Sequence, residues 1–228
     1  MRSHRRLRRG QASRARGVGI TVSVSEQGVI TGRLFVLAGP SGVGKDTILR
    51  AVLAADSRLC RVVTLVTRAP RASETDGVDH YFVTREEFAR RTAAGDLLEW
   101  AEYVGSPRGT PRSGVVAALK SRREPILKID VQGFRQIRAA LPQVISIFIL
   151  PPSLQSLERR LRGSGPGESR DAVQGRVEAA KQEIAAAEEF DYRIVNPDGD
   201  PARCVSDVLE LIRFERERDV PRLVTLDV

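Results

Sequence analysis

The chain has 228 residues, 41% of them hydrophobic, which is enough for one compact domain with a sizeable core. No apolar run approaches the roughly eighteen residues of a membrane-spanning helix, so no such helix is predicted. Two distant cysteines, Cys60 and Cys204, and two histidines, His4 and His80, exclude a disulfide framework and a zinc site and suit a reducing cytoplasm.

The formal net charge of +8 is concentrated at the beginning of the chain. Residues 1–32 contain seven arginines and one acid, Glu26, so the rest of the chain carries only +2. Such a segment is typical of a targeting peptide or of a segment that binds RNA or anionic surfaces. The alternatives without a function are a disordered tail and a start site assigned too far upstream. We favour disorder, with at most weak nucleic-acid binding, because the segment has no aromatic residue for base stacking.

A glycine-rich loop follows, between an apolar run and a helical pattern. Residues 34–38 are continuously apolar, as in a strand buried on both faces of a parallel sheet, and the apolar spacing after residue 47 is helical. The loop matches G-x-x-x-x-G-K, in which backbone N–H groups surround nucleotide phosphates and the lysine reaches the β- and γ-phosphate oxygens. The predicted phosphate-binding residues are Gly39, Pro40, Ser41, Gly42, Val43, Gly44, Lys45, Asp46 and Thr47.

The residue after Lys45 departs from the usual loop pattern. That position normally carries a Ser or Thr hydroxyl that binds Mg²⁺, but here it is Asp46, and the hydroxyl follows at Thr47. A carboxylate is a hard oxygen ligand and can bind Mg²⁺ directly. The loop therefore predicts a nucleoside triphosphate ligand and leaves the metal site open between Asp46 and Thr47.

Strand-like and helical segments alternate through the rest of the chain, which predicts a doubly wound α/β fold. Predicted strands cover 61–66, 81–83, 97–103, 125–130, 144–150 and 192–196, and predicted helices cover 84–94, 131–141, 153–162, 171–189 and residues from 200 onward. Residues 105–113 are rich in turn formers and predict a loop. The segment 64–121 is too long for a simple crossover and predicts an inserted lobe, and the glycine-flanked segment 155–185 predicts a mobile lid.

A second anion site is predicted at Thr67-Arg68-Ala69-Pro70-Arg71. Pro70 stiffens a turn, and Arg68 and Arg71 can converge on one phosphate, whose geometry guanidinium groups match. Acids follow at Glu74, Asp76 and Asp79, so internal salt bridges are the alternative use of these arginines.

With these motifs in place, the chain resembles guanylate kinase, the P-loop family that transfers the γ-phosphoryl group of ATP to GMP. The resemblance extends from about residue 33 to 217 and rests on GPSGVGK, TRAPR, LEWA, GTP, IDVQG, IFILPP, Arg160-Leu161, Arg176 and VN, in this order. It implies a P-loop parallel-sheet core with an inserted GMP-binding lobe and a helical lid. It also implies a cytoplasmic enzyme of purine nucleotide metabolism that uses ATP, GMP and Mg²⁺ and does not bind membranes.

The predicted organisation is therefore a tail over 1–32, a guanylate-kinase-like domain over 33–217 and a tail over 218–228. Within the domain, the core is 33–63, 122–154 and 186–217, the GMP-binding lobe is 64–121, and the lid is 155–185.

The resemblance implies roles for individual residues. The implied catalytic residues are Lys45, Arg160 and Arg176, and the implied GMP-binding residues are Thr64, Arg68, Arg71, His80, Glu99, Arg108, Thr110 and Asp130. Guanine N1–H and N2–H₂ can donate to Glu99, and its O6 can accept from Thr110, whereas adenine would leave Glu99 unpaired. Asp130 follows a predicted strand, where it can bind a ligand or cap the next helix.

Five residues depart from the family pattern: Asp46, His80, Arg108, Lys128 and Ser164. His80 and Arg108 replace tyrosines that donate to the GMP phosphate, and both can still donate to an anion. Lys128 stands where many members carry an acid, and we hypothesise that it compensates the charge of Asp46. Ser164 replaces a lid arginine, and we expect this replacement to slow phosphoryl transfer.

Two alternative functions are also compatible with parts of the sequence. An aspartate after the loop lysine is also found in ribose 1,5-bisphosphate phosphokinase, although Glu99-Trp100, Gly109-Thr110-Pro111 and IDVQG favour guanine. Non-catalytic guanylate-kinase-like binding modules of scaffold proteins typically lack the loop lysine or glycines, and this chain has Gly39, Gly44 and Lys45.

Overall fold

The computed structural model describes residues 20–24, 28–72, 74–103, 105–163 and 170–227, and all structural statements concern these residues. Its central sheet has five parallel strands. Their spatial order is β11 (Tyr192–Val195), β10 (Ile145–Leu150), β3 (Phe35–Ala38), β9 (Glu124–Lys128) and β4 (Leu59–Arg61). The predicted α/β class with a parallel core is confirmed.

Helices cover both faces of this sheet. On one face lie α1 (Lys45–Ala55), α5 (Leu154–Gly163), α6 (Arg170–Ala185) and α7 (Pro201–Arg216), and on the other lie α3 (Arg112–Lys120) and α4 (Val131–Ala140). Phe35 and Leu37 pack toward the first group and Val36 and Ala38 toward the second, because successive side chains of a strand point to opposite faces. None of the helices in the described ranges has the length and apolar character needed to cross a bilayer.

A second sheet forms the inserted lobe. Its order is β6 (His80–Phe82), β5 (Thr64–Val66), β8 (Ser106–Pro111) and β7 (Leu97–Tyr103), and α2 (Arg85–Ala93) packs against β7. β5 is parallel to β6 and antiparallel to β8. The prediction of one strand over 61–66 is wrong, because the chain leaves the core sheet after Arg61 and enters the lobe sheet at Thr64.

The predicted loop over 105–113 is also wrong, since most of it is β8. Gly109 and the two prolines favour turns locally, but β8 is hydrogen-bonded between β5 and β7. Sheet pairing on both sides outweighs the local preference. The Pro107 carbonyl accepts from the backbone N–H of Thr67 at 3.1 Å and connects β8 to the arginine-rich turn.

The two predicted tails contain strands. β2 (Val29–Gly32) pairs antiparallel with β12 (Val224–Asp227) and with the short β1 (Ser23–Val24). The expectation of disorder over 1–32 is wrong for β1 and β2, and Ile30 is buried in the core. In the predicted tail over 218–228, Val224 and Leu226 of β12 are also buried in the core. Residues 1–19, which hold the arginine cluster, lie outside the described residues.

The boundary of the lobe differs from the predicted one. Although the sequence predicts a lobe that ends at residue 121, α3 packs on β2 and β9, and its Val115 and Leu119 belong to the main core. The predicted lid corresponds to α5 and α6. Ser164 lies outside the described residues.

Candidate active site

The phosphate loop connects the carboxyl end of the central strand β3 to the N-terminus of α1. Gly39 has φ of +148°, and a Cβ there would lie 2.5 Å from the Ile149 carbonyl oxygen. Gly44 has φ of +100°, and a Cβ there would lie 2.8 Å from Asn196 Nδ2. Only glycine suits both positions. Asn196 Nδ2 also donates to the Val43 carbonyl at 2.8 Å, which holds the loop against the end of β11.

Lys45 lies within the curve of this loop. Its ammonium donates to the carbonyl oxygens of Gly39 at 2.5 Å and Pro40 at 2.9 Å. Burial lowers the pKa of Lys45 to about 8, although the charge of Glu183 acts in the opposite direction. A phosphate in the loop would favour the charged ammonium, because an anion nearby raises the pKa of an amine.

Asp46 and Lys128 form an ion pair at the edge of the loop. Lys128 Nζ, at the end of β9, donates to Asp46 Oδ1 in the first turn of α1. Burial raises the pKa of Asp46, but the hydrogen bond and charge of Lys128 outweigh this effect, and the pKa is lowered overall. The hypothesised proximity of the two residues is confirmed. The Asp46 side chain is 71% exposed, so solvent still reaches its carboxylate.

Both predicted catalytic arginines lie at the phosphate loop. Arg160 of α5 donates to the carbonyl oxygens of Val43 at 3.2 Å and Asn196 at 2.9 Å, and it pairs with Asp198 at 2.8 Å. Arg176 of α6 donates to Ser41 Oγ at 3.0 Å. The structure therefore brings two guanidinium groups from separate helices to the loop.

Five predicted GMP-binding residues share one face of the lobe sheet. Thr64 pairs with His80, and Glu99 pairs with Thr110. Arg108 pairs with the residue two positions after Thr64 and lies two positions before Thr110. Paired residues, and residues two apart on one strand, point to the same side of a sheet. Thr64 Oγ1 and His80 Nδ1 are 2.9 Å apart and hydrogen-bonded.

Glu99 is a buried carboxyl group on this face. It is 4% exposed and accepts a hydrogen bond from Thr110 Oγ1 at 2.6 Å. Burial raises the pKa of Glu99 to about 7, the Thr110 hydrogen bond opposes this rise, and the charge of Asp130 adds to it. Gly133 leaves room for this carboxyl, because a Cβ at that position would collide with Glu99 Oε2.

Asp130 has a structural role next to this carboxyl. Its Oδ1 accepts from the backbone N–H of Gly133 at 2.9 Å, so it is the N-cap of α4. The capping alternative is confirmed. Ligand binding by Asp130 stays a prediction.

Arg68 and Arg71 differ in their surroundings. Both terminal nitrogens of Arg68 donate to the Glu74 carboxylate at 2.6 Å, and this pairing lowers the pKa of Glu74 to about 2. The Arg68 guanidinium also lies 5.7 Å from the centre of the Phe82 ring. Arg71 is exposed, and its backbone N–H donates to Glu74 at 2.8 Å. The internal salt bridge is therefore formed by Arg68.

Sequence reasoning missed Glu183. This residue of α6 accepts a hydrogen bond at the phosphate loop, from the backbone N–H of Ser41 at 3.2 Å. The available signal is its spacing of seven residues from Arg176, which places both side chains on one face of the helix.

Comparison with known proteins decides the family. The guanylate kinase family model matches residues 31–213. The guanylate kinase of Thermosynechococcus vestitus is 50% identical over 167 residues, which cover 73% of this chain and 87% of the relative. That of Trichormus variabilis is 46% identical over 172 residues, which cover 75% and 86%. The chain belongs to the guanylate kinase family.

A solved guanylate kinase also has this fold. The crystal structure of guanylate kinase from Anaplasma phagocytophilum matches with a TM-score of 0.68 at 31% identity, and the match covers 85% of this chain and 90% of that one. The predicted resemblance is confirmed, and the described residues contain a phosphate loop and a lobe within the fold of a guanylate kinase.

Proposed function

We propose that this protein is a guanylate kinase that transfers the γ-phosphoryl group of ATP to GMP, giving ADP and GDP. Membership of the family supports this function. The observation that carries it is the buried Glu99–Thr110 pair, which faces the same side of the lobe sheet as Thr64, His80 and Arg108. This pair supplies the acceptor and hydroxyl that the guanine edge requires.

The donor phosphates bind in the loop from Gly39 to Thr47. Backbone N–H groups and the N-terminus of α1 face the phosphates there, and such groups favour anions. Lys45, Arg160 and Arg176 stabilise the charge that spreads over the transferring phosphoryl oxygens. In this chemistry, positioning and electrostatics supply most of the catalysis.

Guanine is recognised through its Watson–Crick edge. N1–H and N2–H₂ donate to the Glu99 carboxylate, and O6 accepts from Thr110 after that hydroxyl turns away from Glu99. Thr64 and Asp130 complete the base site in this proposal. Adenine offers N6–H₂ and an unprotonated N1 and cannot satisfy the same buried carboxylate.

The GMP phosphate binds between Arg68, Arg71, His80 and Arg108. Arg68 is already ordered by Glu74, so binding does not cost the full side-chain entropy of a free arginine. The charge of Arg108 lowers the pKa of both Lys45 and Glu99, although burial and other groups have larger effects. Arg108 therefore lies near both proposed nucleotide sites. This position suits a cation between donor and acceptor phosphates.

Mg²⁺ fits the donor set beside the loop. Within the described residues there is no group of three or more His, Cys, Asp or Glu side chains that could hold a metal. Mg²⁺ usually takes one or two carboxylates together with waters and substrate phosphates, which matches a single exposed Asp46 carboxylate at this place. Asp46 would hold the ion, with Thr47 as the alternative. When bound, Mg²⁺ neutralises charge on the phosphates.

Variants of the Asp46–Lys128 pair test this assignment. Asp46→Ala is expected to raise the Mg²⁺ concentration for half-maximal activity by about tenfold, because it removes the proposed ligand. Lys128→Ala should lower that concentration, since the carboxylate loses its competing cation. The measurement is a magnesium titration at fixed ATP, with the exposed Asp207→Ala as the control. An unchanged requirement in Asp46→Ala would reject the metal role.

A substrate panel tests the function itself. We expect coupled ADP release with GMP, at least about a hundredfold faster than with AMP, because of the buried Glu99. Turnover of ribose 1,5-bisphosphate alone would establish the sugar-phosphate kinase that Asp46 makes the second candidate. Absence of turnover with all three acceptors would favour a non-catalytic binding module.

We further propose that the lobe over 64–121 closes on GMP and that the segment 155–185 closes over the donor phosphates. Closure of both would exclude water from the transferring group. Cys60 and Cys204 are free thiols, which supports a cytoplasmic location for the enzyme.

A further inference from the structure

A carboxylate of the chain itself occupies part of the phosphate loop. Glu183 Oε2 accepts from the backbone N–H of Ser41 at 3.2 Å, and Glu183 is half-buried on α6. Backbone N–H groups of such loops bind phosphate oxygens. A carboxylate oxygen is an acceptor of the same charge and similar size.

Lys45 is the main cation near this carboxylate. Burial raises the pKa of Glu183, and the charge of Lys45 opposes that rise most strongly. Asp130 raises the same pKa further, and Arg108 lowers it. Glu183 in turn favours the ammonium form of Lys45. The loop's own cation is therefore partly neutralised by an internal anion.

Helix α6 contacts Ser41 a second time, with the opposite charge. Arg176, two helical turns before Glu183, donates to Ser41 Oγ at 3.0 Å. Helix α6 therefore contacts Ser41 through two side chains. The Glu183 carboxylate accepts from the backbone N–H of Ser41, and the Arg176 guanidinium donates to its hydroxyl. A phosphate near Ser41 would repel the first side chain and attract the second.

We propose that Glu183 is an internal competitor of the donor nucleotide, occupying a phosphate-oxygen position until the polyphosphate displaces it. Displacement frees the Ser41 N–H for the ligand and releases α6 at Glu183, while Arg176 stays at the loop, where its guanidinium attracts the phosphate. The inference rests on the proposed function only in requiring that the loop binds a polyphosphate.

The test is binding of inorganic tripolyphosphate to the full chain, measured by calorimetry without GMP. Glu183→Gln and Glu183→Ala are each expected to bind tripolyphosphate about three- to tenfold more tightly than the unmodified chain, because like-charge repulsion is removed. Glu178→Gln is the matched control, since Glu178 is exposed on the same helix and pairs with Lys181. It should leave the affinity unchanged.

Unchanged or weaker binding in both Glu183 variants, with unaltered thermal unfolding, would overturn the inference and show that Glu183 only orders the loop. The two proposals fail separately. Tighter tripolyphosphate binding without GMP phosphorylation would reject the proposed function alone. GMP phosphorylation without tighter binding would reject the competitor role alone.

Discussion

Replacing Lys45 with alanine is expected to lower kcat/KM for GMP phosphorylation by about 10²- to 10³-fold. The ammonium lies within the phosphate loop. Within the part of the chain that the structure describes, it donates hydrogen bonds to the carbonyl oxygens of Gly39 and Pro40. It can turn from these carbonyls to the β- and γ-phosphate oxygens without a change in the fold. A coupled ADP-release assay at saturating Mg²⁺ measures the loss.

The control for this variant is Lys120→Ala, an exposed lysine at the end of α3. It removes the same charge from the chain and should keep kcat/KM within about twofold, because screened surface charges contribute little. If Lys45→Ala retained a tenth or more of the activity while thermal unfolding stayed unchanged, Lys45 would not stabilise the transferring phosphoryl group.

The second large effect is expected at the base site. Glu99→Gln should lower kcat/KM for GMP by about 30- to 150-fold, because an amide cannot accept both guanine donors and about 2–3 kcal/mol is lost. Activity toward AMP should change by less than about threefold, so the selectivity for guanine falls. Steady-state assays with both acceptors measure the ratio. A proportional loss for GMP and AMP would contradict base recognition by Glu99.

Glu102→Gln is the matched control for Glu99→Gln. Glu102 is exposed on the same strand and lies on the opposite face, because it is three positions after Glu99 and successive side chains alternate. The substitution makes the same chemical change away from the proposed site, and we expect no loss of selectivity.

The raised pKa of Glu99 adds a pH signature to the same variant. With a pKa of about 7 in the free protein, the carboxyl must lose a proton to accept from guanine, so KM for GMP should rise as pH falls from 8 to 6. The GMP phosphate also titrates near pH 6, and Glu99→Gln should retain only that part of the profile. Identical profiles in both proteins would contradict the assignment.

The same ionisation affects stability with the corresponding sign. Between its ordinary pKa of 4.5 and about 7, folded Glu99 keeps a proton that the unfolded chain has lost. This group therefore favours unfolding increasingly as pH rises through that interval, and its cost is complete above pH 7. A buried carboxyl that lowers stability at neutral pH fits a binding role, since core packing alone would favour an apolar side chain.

Local sequence predicts the phosphate loop because its requirements are local. Glycines at positive φ, a preceding apolar strand and a following helix are all properties of one continuous segment. The Thr84 and Asp200 helix caps follow for the same reason: each accepts a hydrogen bond from an N–H three residues later. The proposed guanine site could be predicted only through the resemblance, because its members come from separate strands.

The failed predictions concern which strand pairs with which. The run from Arg61 to Val66 looks like one strand by composition, yet its two halves join different sheets. β8 contains Gly109 and two prolines and is still a strand, because partners on both sides satisfy its available backbone groups. The strands at 29–32 and 224–227 are short segments stabilised by each other and by the core.

The sequence by itself determined the α/β class, the glycine-rich loop and the arginine-rich segment 67–71 that is proposed as a second anion site, since each depends on residue types at short, regular spacings. The tertiary structure alone decided that Lys128 pairs with Asp46 across 82 positions, that Arg68 is held by Glu74, and that Glu183 enters the loop. The physical reason is that charge pairs and strand partners depend on distance in space. Periodicity along the chain specifies which face a side chain occupies, and packing of distant segments specifies what it meets there.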